Sequence, residues 1–354
     1  MLFAAVGQRA LVIGATGFVG SQVVKCLLEK GYKVRGTCRN VEKAQWLRVA
    51  LNNPSEENLE LKEFVLAPEP PPEDAVMDSL MEGCKSVFMC AGYETQDPTT
   101  ITFMVNAGKA AVDAASRVIA KNPELADQVS VVLTSSTGST NKPGAAADSI
   151  KSETEDWSDP ELQQKNGRFS PAAKTLMEIT ALKAVGRDQK NELTGDKNEK
   201  FPRVCIMNPS LILAPQLKPG DVTSPGLGWF LKIMNGEAMA EKIPNDSMSV
   251  IHAADLAKLH VACMENDGSD PNVAAASGRY FGVNKSWHWE DILNAVKVEI
   301  PEYKMPAKKY EQRAKETLFD SSRRDSLNIG ELKDLQEIVK EIVEFLRKKD
   351  LLKI

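Results

Sequence analysis

The stretch LVIGATGFVGS, residues 11–21, constrains the fold more than any other part of the 354-residue sequence. It places Gly14, Gly17 and Gly20 between ALVIGA, a short apolar run that reads as a strand, and GSQVVKCLLEKG, an amphipathic helix closed by glycine. A dinucleotide site needs glycine there for three reasons. One permits the tight turn, one lets backbone approach a pyrophosphate, and one lets helix and strand pack closely. The N–H groups at the helix start then face the phosphates. The spacing is G-x-x-G-x-x-G, one residue longer in its first interval than the common fingerprint. Its place at a strand-to-helix junction, opening a βαβ unit, reads as a nucleotide-binding turn involving Gly14, Thr16, Gly17, Phe18, Val19 and Gly20.

The alternation continues. KVRGTCR, LELKEFVLA, SVFMCA, VSVVLTSS and RVCIMNPSLILAP read as further strands, and ITFMVNAGKAAVDAASRVIA as a helix between the fourth and fifth. Strands alternating with helices imply a parallel sheet, so the expected fold is α/β, a Rossmann-type doubly wound sheet with helices on both faces. From about Pro215 the alternation fades into a helix (HAADLAKLHVACME), a short strand (RYFGV), another helix (SWHWEDILNAVK) and a closing amphipathic helix. That closing helix aligns Leu332, Leu335, Val339, Ile342 and Leu346 on one face. The expected division is a nucleotide-binding domain over 1–214, with 248–266 and 331–354 packing back onto it. A smaller C-terminal substrate-binding lobe takes 215–247 and 267–330.

Composition narrows the partners. A net charge of −5 argues against a general affinity for nucleic acid or anionic membrane. No apolar run approaches the roughly 20 residues that span a bilayer, and the N-terminus has no basic region or cleavage site. The six cysteines fall in apolar segments without C-x-x-C spacing, as in a chain kept reduced in the cytoplasm. The three histidines show no ligand spacing, so no metal is expected.

The end of the second strand selects the cofactor. NAD would call for an acid about 20 residues beyond the glycines, to hold the ribose 2′-hydroxyl. Cys38 and Arg39 stand there instead, with Arg35 and Lys43 nearby. A guanidinium pairs with a 2′-phosphate that a carboxylate would repel, so NADP(H) is expected over NAD(H).

These segments resemble the extended short-chain dehydrogenase/reductases of the NAD-dependent epimerase/dehydratase superfamily, and within them the dihydroflavonol reductase and cinnamoyl-CoA reductase branch. The likeness runs over nearly the whole chain: GATGFVGSQVVKCLLEKGYKVRGTCRN, MEGCKSVFMCA, VNAGKAAVDAA, LTSSTGS, EDWSDPE, MNPSLILAP, SVIHAADLAKLHVACMEN and GRYFGVNKSWHWEDIL all take part, in order. It implies a carbonyl reductase in which Arg39 meets the 2′-phosphate, Ala91 and Pro209 border the cofactor, and Ser136 hydrogen-bonds the substrate oxygen. A small-molecule carbonyl substrate and a homodimer follow from the same likeness.

The family also places a tyrosine four residues before a lysine. The phenol exchanges the proton on the substrate oxygen, and the lysine holds the ribose and lowers the phenol pKa. GRFSPAAKTLMEI supplies Lys174 but has Ser170 in place of the tyrosine. An aliphatic hydroxyl is a far weaker acid than a phenol, so three readings stand. Ser170 is a helix N-cap with Pro171 in the first turn; or it holds a relaying water with Ser136 and Lys174; or Tyr93, in CAGYETQD, substitutes. At the level of the whole chain these become an NADP(H)-dependent reductase without the usual tyrosine, or an impaired NADP(H)-binding structural or regulatory protein. A nucleotide-sugar epimerase or dehydratase shares the scaffold but fits Arg39 and the W-S-D segment poorly.

Overall fold

The computed structural model describes residues 7–92, 97–146, 149–194, 200–270, 273 and 276–353. The first half runs β1 (Arg9–Ile13), α1 (Phe18–Glu29), β2 (Lys33–Cys38), α2 (Trp46–Ala50), β3 (Leu59–Glu63), α3 (Asp74–Met81), β4 (Cys84–Met89), α4 (Thr99–Lys121) and β5 (Ser130–Thr134). It continues through β6 (Ile150–Ser152), α5 (Pro160–Lys165), α6 (Phe169–Ala184), β7 (Arg203–Pro209), β8 (Leu211–Leu213), α7 (Pro225–Met234), β9 (Ser247–His252) and α8 (Ala253–Glu265). Last come β10 (Gly278–Gly282), β11 (Lys285–His288), α9 (Trp289–Glu299), β12 (Leu318–Asp320), α10 (Ser322–Ser326) and α11 (Leu335–Lys348).

Seven strands form one parallel sheet in the order β3-β2-β1-β4-β5-β7-β10. The chain steps outward from β1 to β2 and β3, then returns to the other side of β1 with β4. The crevice beyond the ends of β1 and β4 is therefore the topological switch point, where doubly wound sheets bind ligands. Strands β4 and β5 are almost continuously buried because helices cover both faces. Side chains alternate between the two: Leu11, Ile13, Val131 and Leu133 face the layer of α4 and α6, while Ala10, Val12 and Val132 face that of α1 and α8.

A second core lies beside this sheet. It holds β8, β9 and β11, a three-stranded sheet, under α7, α9 and α11, with Phe230, Ile233, Trp289, Ile292, Ile338 and Ile342 fully or almost fully buried. Two expected boundaries move. The closing helix α11 packs into this smaller core, not back onto the nucleotide-binding domain. Its apolar stripe finds apolar partners on α7 and α9, whereas both faces of the large sheet are already covered. Conversely β10, expected in the smaller lobe, is the seventh strand of the large sheet, with every residue of GRYFG buried. Segment 248–266 divides: Ile251 and α8 join the large-sheet core, and Val250 the small one.

Candidate active site

Gly14 follows β1 with φ +84°, a left-handed conformation natural only to glycine. A Cβ there would lie 2.8 Å from the Ala91 nitrogen at the end of β4, and a Cβ on Gly20 only 2.1 Å from the Gly14 carbonyl oxygen. Gly17 has more room, 3.2 Å to the same oxygen. The turn is fastened to β2: Gly14 N–H donates to Thr37 Oγ1 (3.1 Å) and Ala15 N–H to the Thr37 carbonyl (3.0 Å). Helix α1 then starts at Phe18 and Val19 behind Gly17, an N-cap with no side chain, and no acid stands in its first turn. An uncapped helix start at a switch point is a cradle for an anion.

Beside it a cleft of about 560 Å³ is lined by Thr16, Cys38, Arg39, Asn40, Lys43, Ala44, Trp46 and Lys218. Three cations and no carboxylate line it, and none of the three forms an ion pair among the described residues. Asn40 Oδ1 accepts the Lys43 N–H (2.8 Å), fixing the turn that carries both. Arg35, expected to add to this charge, does not. It is buried within β2, donating to Glu60 (2.8 Å) and to the carbonyls of Leu80 and Glu82 (2.8 Å each), where it closes the end of α3. In a strand, Arg35 and Arg39 are separated by more than a dozen ångströms of backbone, and only the latter reaches the strand end.

At the end of β5, Ser135 N–H still pairs with the Met207 carbonyl (2.8 Å), and Ser136 caps a single 3₁₀ turn by accepting the Gly138 N–H (3.0 Å). A Cβ on Gly138 would stand 3.0 Å from Pro171 Cβ and 3.3 Å from Ser136 Oγ, so this turn sits directly against the first turn of α6. Lys174, one turn further along α6, donates from Nζ to the Thr134 carbonyl (2.8 Å). Ser136 and Lys174 are thus gathered around the same strand end. Pro209 ends β7, the next strand over, buried against Gly282. Tyr93 lies outside the described residues.

Ser170 is not the N-cap expected of it. Helix α6 begins two residues sooner than a Ser170 cap would have it, at Phe169 in place of Pro171, with Arg168 at the cap position and no side-chain cap bond. The Ser170 hydroxyl is half-buried and makes no hydrogen bond among the described residues. Ser-Pro still falls within the first turn, but the chain enters the helix from Gly167, φ +68°, and Arg168, two residues before the position a Ser170 cap would give.

Behind Ser136 lies a polar cluster that pattern reading passed over. Glu178 of α6 is completely buried, and its Oε1 accepts from Ser135 Oγ, Ser139 Oγ (2.5 Å) and Asn208 Nδ2 (2.8 Å). Its other oxygen pairs with Arg279 Nε of β10 at 2.8 Å. Arg279 also donates to the carbonyls of Ser139 (2.8 Å) and Asp156 (2.7 Å), and its guanidinium lies 3.7 Å from the Trp157 ring centroid. The W-S-D segment completes the brace. Ser158 donates to the Gly138 carbonyl (2.9 Å), and Asp159 caps α5 through the N–H groups of Glu161 and Leu162. A carboxylate on the apolar face of a helix, beside Met177 and Ala181, is the signal that could have revealed this cluster, because a buried charge demands a partner.

On the other side, Thr134 Oγ1 meets His260 Nε2 (2.8 Å), and His260 Nδ1 meets the Leu256 carbonyl (2.8 Å). A carbonyl only accepts, so Nδ1 carries the proton and Nε2 accepts the threonine hydroxyl. Burial lowers the His260 pKa to about 4, so the ring is neutral. Asn106 donates to the Pro68 carbonyl (3.0 Å) and ties α4 to the proline-rich connection.

Known proteins share this architecture. Cinnamoyl-CoA reductase CAD2 of Medicago truncatula is 28% identical over 352 residues, covering 97% of this chain and 97% of its own length. Tetraketide alpha-pyrone reductase 2 of Arabidopsis thaliana is 26% identical, covering 97% and 99%. The solved structure of yeast methylglyoxal/isovaleraldehyde reductase complexed with NADPH superposes with a TM-score of 0.76 at 19% identity, over 97% of this chain and all of that one. Vestitone reductase from alfalfa gives 0.71 at 20% identity, over 97% and 99%. Residues 10–274 match the NAD dependent epimerase/dehydratase family, and the chain belongs to that family.

Proposed function

We propose that this protein is an NADP(H)-dependent reductase of a small ketone or aldehyde, working without the usual tyrosine. The observation that carries the reading is the gathering of Ser136 and Lys174 at the end of β5, beside the glycine crevice and its cationic cleft. The full-length likeness to proteins named as reductases, and to one solved with NADPH, supports it.

The glycine turn and cleft suit the cofactor. Side chains at Gly14 and Gly20 would collide with the backbone of Ala91 and Gly14 and force the turn out of shape, and Arg39 and Lys43 would face a 2′-phosphate with no carboxylate among the cleft's lining. When bound, the nicotinamide supplies the hydride. Lys174 holds the ribose, the α1 start faces the pyrophosphate and Ser136 fixes the substrate oxygen. Ser170 is too weak an acid to give the proton itself. Its hydroxyl, without a hydrogen bond among the described residues, instead orients a water, which gives a proton to the substrate oxygen and takes one from bulk solvent.

A second reading, an NADP(H)-binding protein without turnover, draws on the same unpartnered Ser170. Both readings require the cofactor choice, which a nucleotide titration tests. The protein binds NADPH more tightly than NADH, and Arg39→Ala weakens NADPH by about tenfold or more while leaving NADH nearly unchanged. Equal weakening of the two nucleotides refutes the choice.

A further inference from the structure

The cationic cleft holds one residue that the nucleotide-binding half does not supply. Thr16, Cys38, Arg39, Asn40, Lys43, Ala44 and Trp46 all come from the first βαβ unit and its connection to α2, whereas Lys218 comes from the loop between β8 and α7, in the smaller lobe. That loop is held in shape. Gln216 is 6% exposed; its Nε2 donates to the carbonyls of Lys218 (2.9 Å) and Asp221 (2.8 Å), and its Oε1 accepts the Thr223 N–H (2.9 Å). A single buried side chain thus closes the loop on itself and fixes the backbone of Lys218. Ser224 then caps α7, whose Leu227, Phe230 and Ile233 are buried in the smaller core. Asp221 is exposed and does not line the cleft, so Lys218 arrives there without a neutralising carboxylate.

We propose that Lys218 is the third cation for the cofactor 2′-phosphate, so that NADPH, and not NADH, ties the substrate-binding lobe to the nucleotide-binding domain. The inference rests on the NADP(H) reading above. A 2′-phosphate carries close to two negative charges, more than one guanidinium neutralises. Lys218 reaches it from the smaller lobe, on the loop between β8 and α7. A ligand that touches both sides restricts their relative motion, whereas one lacking the 2′-phosphate leaves the Lys218 loop untethered. Gln216 acts as a positioning residue, through Lys218.

The test is a fluorescence titration of the full chain with NADPH and with NADH, paired with hydrogen exchange over residues 215–234. Lys218→Ala should weaken NADPH about tenfold and NADH less than about twofold. Lys218→Arg should retain most of the affinity. In the wild type, NADPH should slow amide exchange over 215–234 and NADH should not, and Lys218→Ala should abolish that difference. If Lys218→Ala leaves NADPH affinity and exchange unchanged while Arg39→Ala weakens NADPH alone, the inference fails and the cofactor reading stands. If the wild type does not prefer NADPH, or binds neither nucleotide, both fail together.

Discussion

The first turn and the middle of helix α6 have opposite characters. At Glu178 three donors converge on one carboxylate oxygen and a buried arginine holds the other; four residues and one turn earlier, Lys174 is drawn to a carbonyl at the strand end. At Ser170 the hydroxyl is half-buried with no described partner. One helix therefore keeps a fully built frame for Ser136 and Lys174, and where the proposed reaction calls for a proton donor it carries a side chain with no cap bond and no hydrogen bond among the described residues. The frame and the donor are physically separable. Frame residues contribute to folding whatever chemistry occurs, while a phenol at 170 would contribute to the reaction alone.

The largest effect that can break this contrast is Glu178→Ala. It strands the Arg279 guanidinium in a dry interior, and the expected loss is about 3–5 kcal/mol of folding free energy, read from the denaturant midpoint. A loss below about 1 kcal/mol would mean that the cluster is solvated and does not frame Ser136.

The next concerns His260, on the opposite side of Thr134. Its folded pKa, about 4, lies below the unfolded value near 6.5. The unfolded chain thus takes up the proton first as pH falls. The stability from the neutral ring is complete above pH 6.5 and is lost progressively towards pH 4, by on the order of 3 kcal/mol. Denaturation midpoints at several pH values should show that slope, and His260→Gln should flatten it. An unchanged slope in the variant would assign the acid sensitivity to other groups.

The smallest effect belongs to Ser170. Removing a helix N-cap typically costs about 1 kcal/mol, but Ser170 lies inside the helix, so Ser170→Ala should change thermal stability by less than about 0.5 kcal/mol. A loss above 1 kcal/mol would restore the capping role.

The sequence carried one side of this contrast openly. The glycine turn, the strand-helix alternation and Arg39 are local patterns, with each residue's role set by neighbours a few positions away, and the doubly wound parallel sheet follows from them. The brace was not legible for the opposite reason. Glu178 and Arg279 are about a hundred residues apart, and Lys218 reaches the cationic cleft from a different lobe, so no spacing relates them. Strand β10 was misallotted because five residues of GRYFG read alike as an edge of a small lobe or a seventh strand; only burial on both faces distinguishes these. Helix α11 displayed its apolar stripe but not which core would receive it. Ser-Pro is a good start signal, but here it falls inside the first turn of a helix that begins two residues sooner than a Ser170 cap would have it.

The central claim is that the frame alone supports hydride transfer, slowly, without a phenol. It is tested most directly by single-turnover oxidation of bound NADPH against a panel of small aldehydes and ketones, comparing the wild type with Ser170→Tyr. The wild type should oxidise NADPH with at least one carbonyl compound at a slow, measurable rate, and Ser170→Tyr should raise that rate by about 10²–10⁴-fold, the usual worth of a positioned general acid. Tight NADPH binding with no oxidation by the wild type, and turnover only in Ser170→Tyr, would contradict the claim and make the natural protein a nucleotide-binding one without catalysis.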